Sequence, residues 1–534
     1  MAELYDAIVI GAGHNGLCCA AYLQRAGLRT ALIERRHEEG GGANTEEPLL
    51  PGFRFNLHAN YMEFFDIIPM IPDFDLEGIG LRWFKPENQG GITFADGRPP
   101  IVVHRKDLLE RTHASISRHS KADADMWVEL QKRTLGFGDL MAFGLYNPPT
   151  DGRVDFMGGL IEEWFGDLGI SSHFTTKSPK AVIDEVFESP EMRTFLYRTS
   201  VEFGAPLDQV GSGVQVLTSL QWMIGNLRGT CGGTHNLAKV MTQACYQEGV
   251  DLIENTAVER ILVSGGKAVG VQVRGGEEIM ATQVVASNAD VRQTLIDLVG
   301  EENLSPLWAK RAKNFRYGPS GVLATPTFCL REAPDYKSAR WDPDINRTFY
   351  TVVGYEEPSE MTRYIRDAHM GRIPEPGSGT WVNSLWDRSQ APPGRHAASG
   401  WYFFPKASYY SADEWAEIRA TYNDRFLSRW QEYAPNMTPE NVIAHRLYTP
   451  DQMEVKNLMW EGDCLLGEIS PDQSGAYRPF PEASSHRTEV AGLYLVGPST
   501  FPGGGITAAP GYQGAKVILD DLEIQKPIPE DRAY

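Results

Sequence analysis

Cysteine is scarce in this 534-residue chain: Cys18, Cys19, Cys231, Cys245, Cys329 and Cys464 are all there is. None forms a C-x-x-C pair, which excludes a dithiol relay, and thiols so few and dispersed build neither a disulfide framework nor a zinc site. Positive charge is the second shortage. Fifty Lys and Arg stand against 70 Asp and Glu, a net charge of -20, and a surface of that sign excludes nucleic acid as a partner. It also opposes electrostatic docking on an anionic membrane; peripheral contact through an apolar patch stays open, and nothing in the sequence supports it. The local basic run Lys310, Arg311, Lys313 and Arg316 reads as a solvated helix face. No segment reaches the ~18 consecutive apolar residues of a membrane span. Only Met1 to Asp6 precede the first apolar run, without a basic leader, so a cytoplasmic location is expected. H-E-x-x-H, clustered Cys/His and calcium-loop patterns are missing, and no metal is expected. The 42% hydrophobic and 22% charged fractions are ordinary for a globular chain. The length calls for two domains.

Glycine, by contrast, falls at telling positions. Ala7–Ile10 is a short run suited to a strand buried on both faces. It leads into Gly11–Ala12–Gly13–His14–Asn15–Gly16, then a helical stretch Leu17 to Ala26, then a second strand, Thr30–Ile33, closed by Glu34. Gly11 permits the tight turn, Gly13 lets the backbone approach a pyrophosphate, and Gly16 allows close helix–strand packing. The helix N-terminus offers free N–H groups to phosphate, and Glu34 can accept hydrogen bonds from both ribose hydroxyls. Arg35 and Arg36 follow at the same edge, where Glu34 would repel a 2′-phosphate. A second glycine-rich loop, Gly40–Gly41–Gly42–Ala43–Asn44–Thr45, brings further backbone amides toward a pyrophosphate and ribityl chain.

Together these segments resemble the opening of the glutathione-reductase-like FAD flavoproteins, many of which carry arginine where this chain has Ala43. The resemblance implies FAD as cofactor. It also implies that Val258, in a run of short strands between Val250 and Val285, lies beside the adenine, and that Ser287 and Asn288 close that block. The C-terminal loop Gly497–Pro498 through Gly504–Gly505–Ile506, with Gly467–Gln473 upstream, resembles the phytoene-desaturase-like branch: carotenoid desaturases and isomerases and retinol saturases. Gly497–Phe501 misses a G-x-S-x-G elbow because Phe501 stands at its last glycine.

The fold class expected is mixed α/β and α+β. A Rossmann-like FAD-binding domain (1–104, 229–300, 485–534) interleaves with a discontinuous substrate domain (105–228, 301–484). Most of the tryptophans fall in or beside the latter, as core or as walls of an apolar tunnel. The function implied is an FAD-dependent oxidoreductase acting on C–C or C=C bonds of an apolar isoprenoid, polyene or alicyclic small molecule, with hydride passing to flavin. A flavin-requiring isomerase or hydratase without net redox, and a non-catalytic lipid-binding protein on the same fold, remain alternatives. With no second dinucleotide motif, electrons would leave to oxygen, a quinone or another carrier. His58 and Glu468 are the catalytic candidates, with Asp472 behind them. Oligomeric state is not legible.

Overall fold

The computed structural model describes residues 3–149, 159, 161–319, 321–525 and 527. Two seven-stranded sheets organise them. In the first, strand β1 (Glu3–Ile10) is central, parallel on one side to β2 (Thr30–Ile33) and on the other to the strand Glu278–Ser287. The asymmetry of that ten-residue strand sets the edge. Its first half pairs with the antiparallel meander Val258–Ser264 and Lys267–Val273; its last three residues pair in parallel with Leu493–Leu495. Asp251–Ile253 flanks β2. Ala7, Ile8, Val9, Ala31 and Leu32 are fully buried, as expected of parallel strands covered on both faces. Helix α1 (His14–Arg25) and the C-terminal helix Ala509–Asp521 pack together on one face; a Cβ on Gly511 would run into the Asn15 carbonyl.

The second sheet runs Val442–Tyr448, Leu323–Leu330, His396–Phe403, Ser378–Trp381, Tyr350–Val353, Asn88–Ile92 and Ile101–His104. The last two strands fall within the segment expected, up to residue 104, in the nucleotide domain. They belong instead to this sheet, because Tyr350–Val353 offers Gly90–Ile92 a parallel ladder. Trp381, Trp415 and Trp430 are fully buried here, and Trp127 in the helices beside it. Residues Val214–Ile224 form two short helices, Val214–Leu217 and Ser219–Ile224. They break at Thr218, whose hydroxyl bonds back to the Val214 carbonyl at 3.1 Å. No helix among the described residues is long and apolar enough to cross a membrane.

Candidate active site

The site begins where β1 ends. Gly11 adopts φ +90°, a conformation L side chains rarely take, and its N–H bonds to the Ile33 carbonyl at 2.8 Å. The chain turns straight into α1, whose cap residue Gly13 spends no side chain on the first N–H groups. A Cβ on Gly16 would strike the Gly11 carbonyl, so the helix sits as close to the strand as glycine allows. Glu34, at the end of β2, fixes this turn from the other side. Its carboxylate accepts from the Ala12 and Arg36 N–H groups, each at 2.9 Å.

These residues open on a cavity of about 720 Å³. Gly11, Gly13, His14, Asn15, Glu34 and Arg35 line it from the N-terminal unit; Gly41, Gly42 and His58 follow. Val258 and Asn288 come from the middle of the chain, and Pro498, Gly504, Gly505 and Ile506 from its C-terminal part. The segments are tied directly. The Asn288 amide donates to the Gly11 carbonyl at 3.1 Å, and the His14 ring nitrogen lies 3.2 Å from the Gly505 carbonyl. The same cavity is walled elsewhere by Tyr61, Phe203, Met223, Leu323, Trp401 and Phe403. Of the large aromatics of the second domain, Trp401 thus reaches the cavity, while Trp381 packs behind it with ring centroids 4.9 Å apart.

Other sequence candidates play supporting parts. Ser287 is buried in the sheet, its hydroxyl 2.7 Å from that of Thr294. Gly497 gives close passage, since a Cβ there would lie 2.7 Å from the Asn288 carbonyl. Ala43 is core. Asn44 donates to Glu46 at 2.7 Å, and the Thr45 hydroxyl donates to Asn56 while accepting from the His235 N–H. Glu468 is a correction. Its carboxylate is 2.9 Å from the Arg316 guanidinium and is not among the groups lining the cavity. Arg316 holds Asp472 as well, at 2.8 Å. The basic run is solvated as expected: Lys310, Arg311 and Lys313 are exposed on helix Pro306–Asn314 and Arg316 just beyond it, with Arg311, Lys313 and Arg316 each meeting an acid at the surface.

His58 does line the cavity. It is buried, with Nε2 3.2 Å from the Asn457 side-chain oxygen; the Asn457 amide in turn donates to the Gly41 carbonyl at 3.1 Å. Burial, seconded by Lys456, pushes the His58 pKa down to about 4, so it is a neutral ring. His14 is likewise pushed to about 4 by burial.

Three contributions are absent from the sequence reading. Asn457, with Leu458 and Met459, closes over the second glycine loop. Asp290 lines the cavity at the start of the π-helical turn Gln293–Val299, and its Oδ1 accepts from Tyr317 and from the N–H groups of Arg292 and Gln293; burial raises its pKa to about 6. Glu63 lines the apolar part and is 7% exposed. Its signal was present: an acid set inside the apolar run Tyr61–Phe65.

Nucleotide-type glycine turns and an apolar chamber sharing one cavity define a flavin-dependent oxidoreductase. Residues 9–67 match the NAD(P)-binding Rossmann-like domain family. The chain is 31% identical to a subunit of the limonene dehydrogenase of Castellaniella defragrans, over 97% of this chain and 95% of that one. It therefore belongs to the phytoene-desaturase-like family of flavin-dependent oxidoreductases. Another member, the lycopene-forming phytoene desaturase of a Paracoccus species, is 26% identical over 97% of each chain. In fold, the chain resembles cyclohexylamine oxidase of Brevibacterium oxydans, with a TM-score of 0.56, 15% identity and coverage of 97% and 99% of the two chains.

The residues present fit a flavin nucleotide. Gly13 and Gly41 approach so closely that a Cβ on Gly41 would lie 3.3 Å from the Gly13 Cα, leaving a backbone-lined groove. Five buried polar atoms of cavity residues have no hydrogen-bond partner among the described residues: Asn15 Oδ1, His58 Nδ1, Glu202 Oε1, Asp290 Oδ2 and Trp401 Nε1. Buried polar atoms are rarely left so unless a ligand or water meets them.

Proposed function

We propose that the protein binds FAD non-covalently and dehydrogenates an apolar isoprenoid or alicyclic molecule. The observation that carries this is the single cavity in which Glu34 and the N-terminus of α1 share walls with Phe203, Met223, Leu323, Trp401 and Phe403. Glu34 would take the adenosine ribose, the amides after Gly13 and those around Gly41–Gly42 the pyrophosphate, and Val258 the adenine edge. His58, Pro498 and Gly504–Ile506 would flank the isoalloxazine, with the C-terminal helix behind the loop. Bound FAD supplies the two-electron acceptor. The aromatic walls hold an apolar substrate by burial and exclude water, and the buried Arg198 stacked on Phe403 is already paired with Glu202. The domain division we propose is 1–87, 229–300 and 485–534 for the nucleotide part and 88–228 with 301–484 for the substrate part.

Anaerobic mixing with limonene and, separately, phytoene tests the reading: bleaching of the flavin band by either is expected. A yellow protein bleached by neither would contradict it. Isomerisation without consumption of an acceptor would favour the non-redox alternative, so acceptor stoichiometry is measured in the same experiment.

A further inference from the structure

We infer that Glu63 is the proton-transfer residue of this cavity, accepting a proton from the substrate carbon adjacent to the one that gives up a hydride. The inference rests on the dehydrogenase reading above.

Most carboxyls that line the cavity lie toward solvent or already hold hydrogen bonds or a charge partner on at least one oxygen, though Asp290 Oδ2 and Glu202 Oε1 have none among the described residues. Glu34 is held by two backbone N–H groups at the nucleotide end. Asp290 accepts three hydrogen bonds on one oxygen. Glu202 is paired with the buried Arg198 one helical turn away and accepts from the Tyr350 hydroxyl at 3.3 Å. Glu259 and Asp297 are exposed and Glu454 is half-buried, all on the solvent side. Glu63 differs from each of them. It stands between Tyr61 and Phe64, which line the same cavity, and among the described residues it has no ion pair; the one group that bonds its carboxyl is its own N–H.

The ionisable groups around it are accounted for. Tyr61, of its own segment, lies within the influence of both Glu63 and Glu202. The Glu202–Arg198 pair comes from helix Pro190–Glu202. Asp66 and Arg228 pair with each other, and Asn226 donates to the Glu63 carbonyl and toward Asp66. Lys85 is engaged with the Asn226 side-chain oxygen, and burial, opposed by the hydrogen bond from the Glu63 N–H, moves the Glu63 pKa to about 8. A carboxyl poised near neutrality is suited to give and take protons.

Atoms and electrons balance within the cavity. One C–H bond breaks and leaves its proton on the Glu63 carboxylate; the adjacent C–H bond breaks with its electron pair, which leaves as hydride to the oxidised flavin; a C=C bond forms between the two carbons. Glu63 then returns its proton to solvent, and a two-electron acceptor such as a quinone reoxidises the flavin.

The test uses flavin-loaded wild type, Glu63→Gln and Glu63→Asp. Infrared difference spectra between neutral and alkaline pH should show a protonated carboxyl band that titrates near pH 8 in wild type and is missing from Glu63→Gln. The rate of flavin bleaching should rise with pH through the same range. Glu63→Gln should lose ~10²-fold or more with its pH dependence flattened, and Glu63→Asp should recover part of both. All three proteins should hold flavin equally, because the substitutions leave Glu34 and the glycine loops untouched. Equal bleaching rates and pH profiles in wild type and Glu63→Gln, or an infrared titration unchanged by the substitution, would overturn the inference while leaving the flavin reading intact. A wild type unbleached by both limonene and phytoene would remove the reading itself, and the inference with it.

Discussion

Glu34 shows how one side chain serves two ends. Its carboxylate pins the Gly11–Gly13 turn through the Ala12 N–H and leaves lone pairs facing the cavity. Glu34→Ala is therefore expected to weaken FAD binding by roughly 10- to 100-fold, the worth of one or two charge-assisted hydrogen bonds at about 1.5–3 kcal/mol. Flavin fluorescence titration of the apoprotein measures it, and an unchanged affinity would place the ribose elsewhere. The two cavity histidines predict a pH effect. Both are depressed to about 4 in the folded protein against an ordinary 6.5, so the unfolded chain binds more protons between those values. Their stabilisation is complete above about pH 6.5 and is lost as pH falls toward 4. Thermal denaturation as a function of pH should show this decline, and it should be shallower in His58→Gln. An identical slope in that variant would deny His58 the role. What sequence could reveal at this scale depended on locality. Gly11 to Gly16 and Glu34 meet in a turn encoded within a short stretch. Glu468 was misplaced because the residue that captures it, Arg316, stands 152 positions away.

At the scale of elements, the C-terminal loop is held from beneath by one guanidinium. Arg478 is buried and donates to the carbonyls of Pro498 at 2.9 Å, Glu468 at 3.1 Å, Thr500 at 3.3 Å and Leu466 at 3.4 Å. Burial lowers its pKa to about 10, still well above neutrality. Arg478→Met would leave these carbonyls and the buried Asp463 without their counter-group, a loss of about 3–5 kcal/mol. A fall in melting temperature together with flavin release is the expected result; a variant as stable as wild type and fully loaded would show that the loop holds itself. The β1–α1–β2 unit was legible because its period and punctuation are local. Strands Asn88–Ile92 and Ile101–His104 were misassigned because only pairing with Tyr350–Val353, some 260 residues on, decides their sheet. Asn457 was invisible for the same reason: its partner Gly41 is 416 residues away.

Across the whole molecule, the cofactor end of the cavity is assembled from three glycine-bearing parts of the chain with Asn457 closing over them, and the substrate end from the second sheet, its helices and the segment Tyr61–Phe64. The first is constrained by backbone geometry, which glycine reports in sequence. The second is constrained only by apolar shape, which Phe, Trp, Leu and Met satisfy interchangeably, so the sequence announces a chamber without its contour. That division explains why cofactor and fold are read more sharply than substrate. FAD held non-covalently where the two ends of the chain meet is open to direct test in the visible spectrum of the purified protein before and after acid denaturation. A yellow protein is predicted, whose flavin passes entirely into the supernatant and is identified there as FAD. A protein that stays colourless after reconstitution with FAD, or a flavin that remains on the precipitated chain, would refute this assignment.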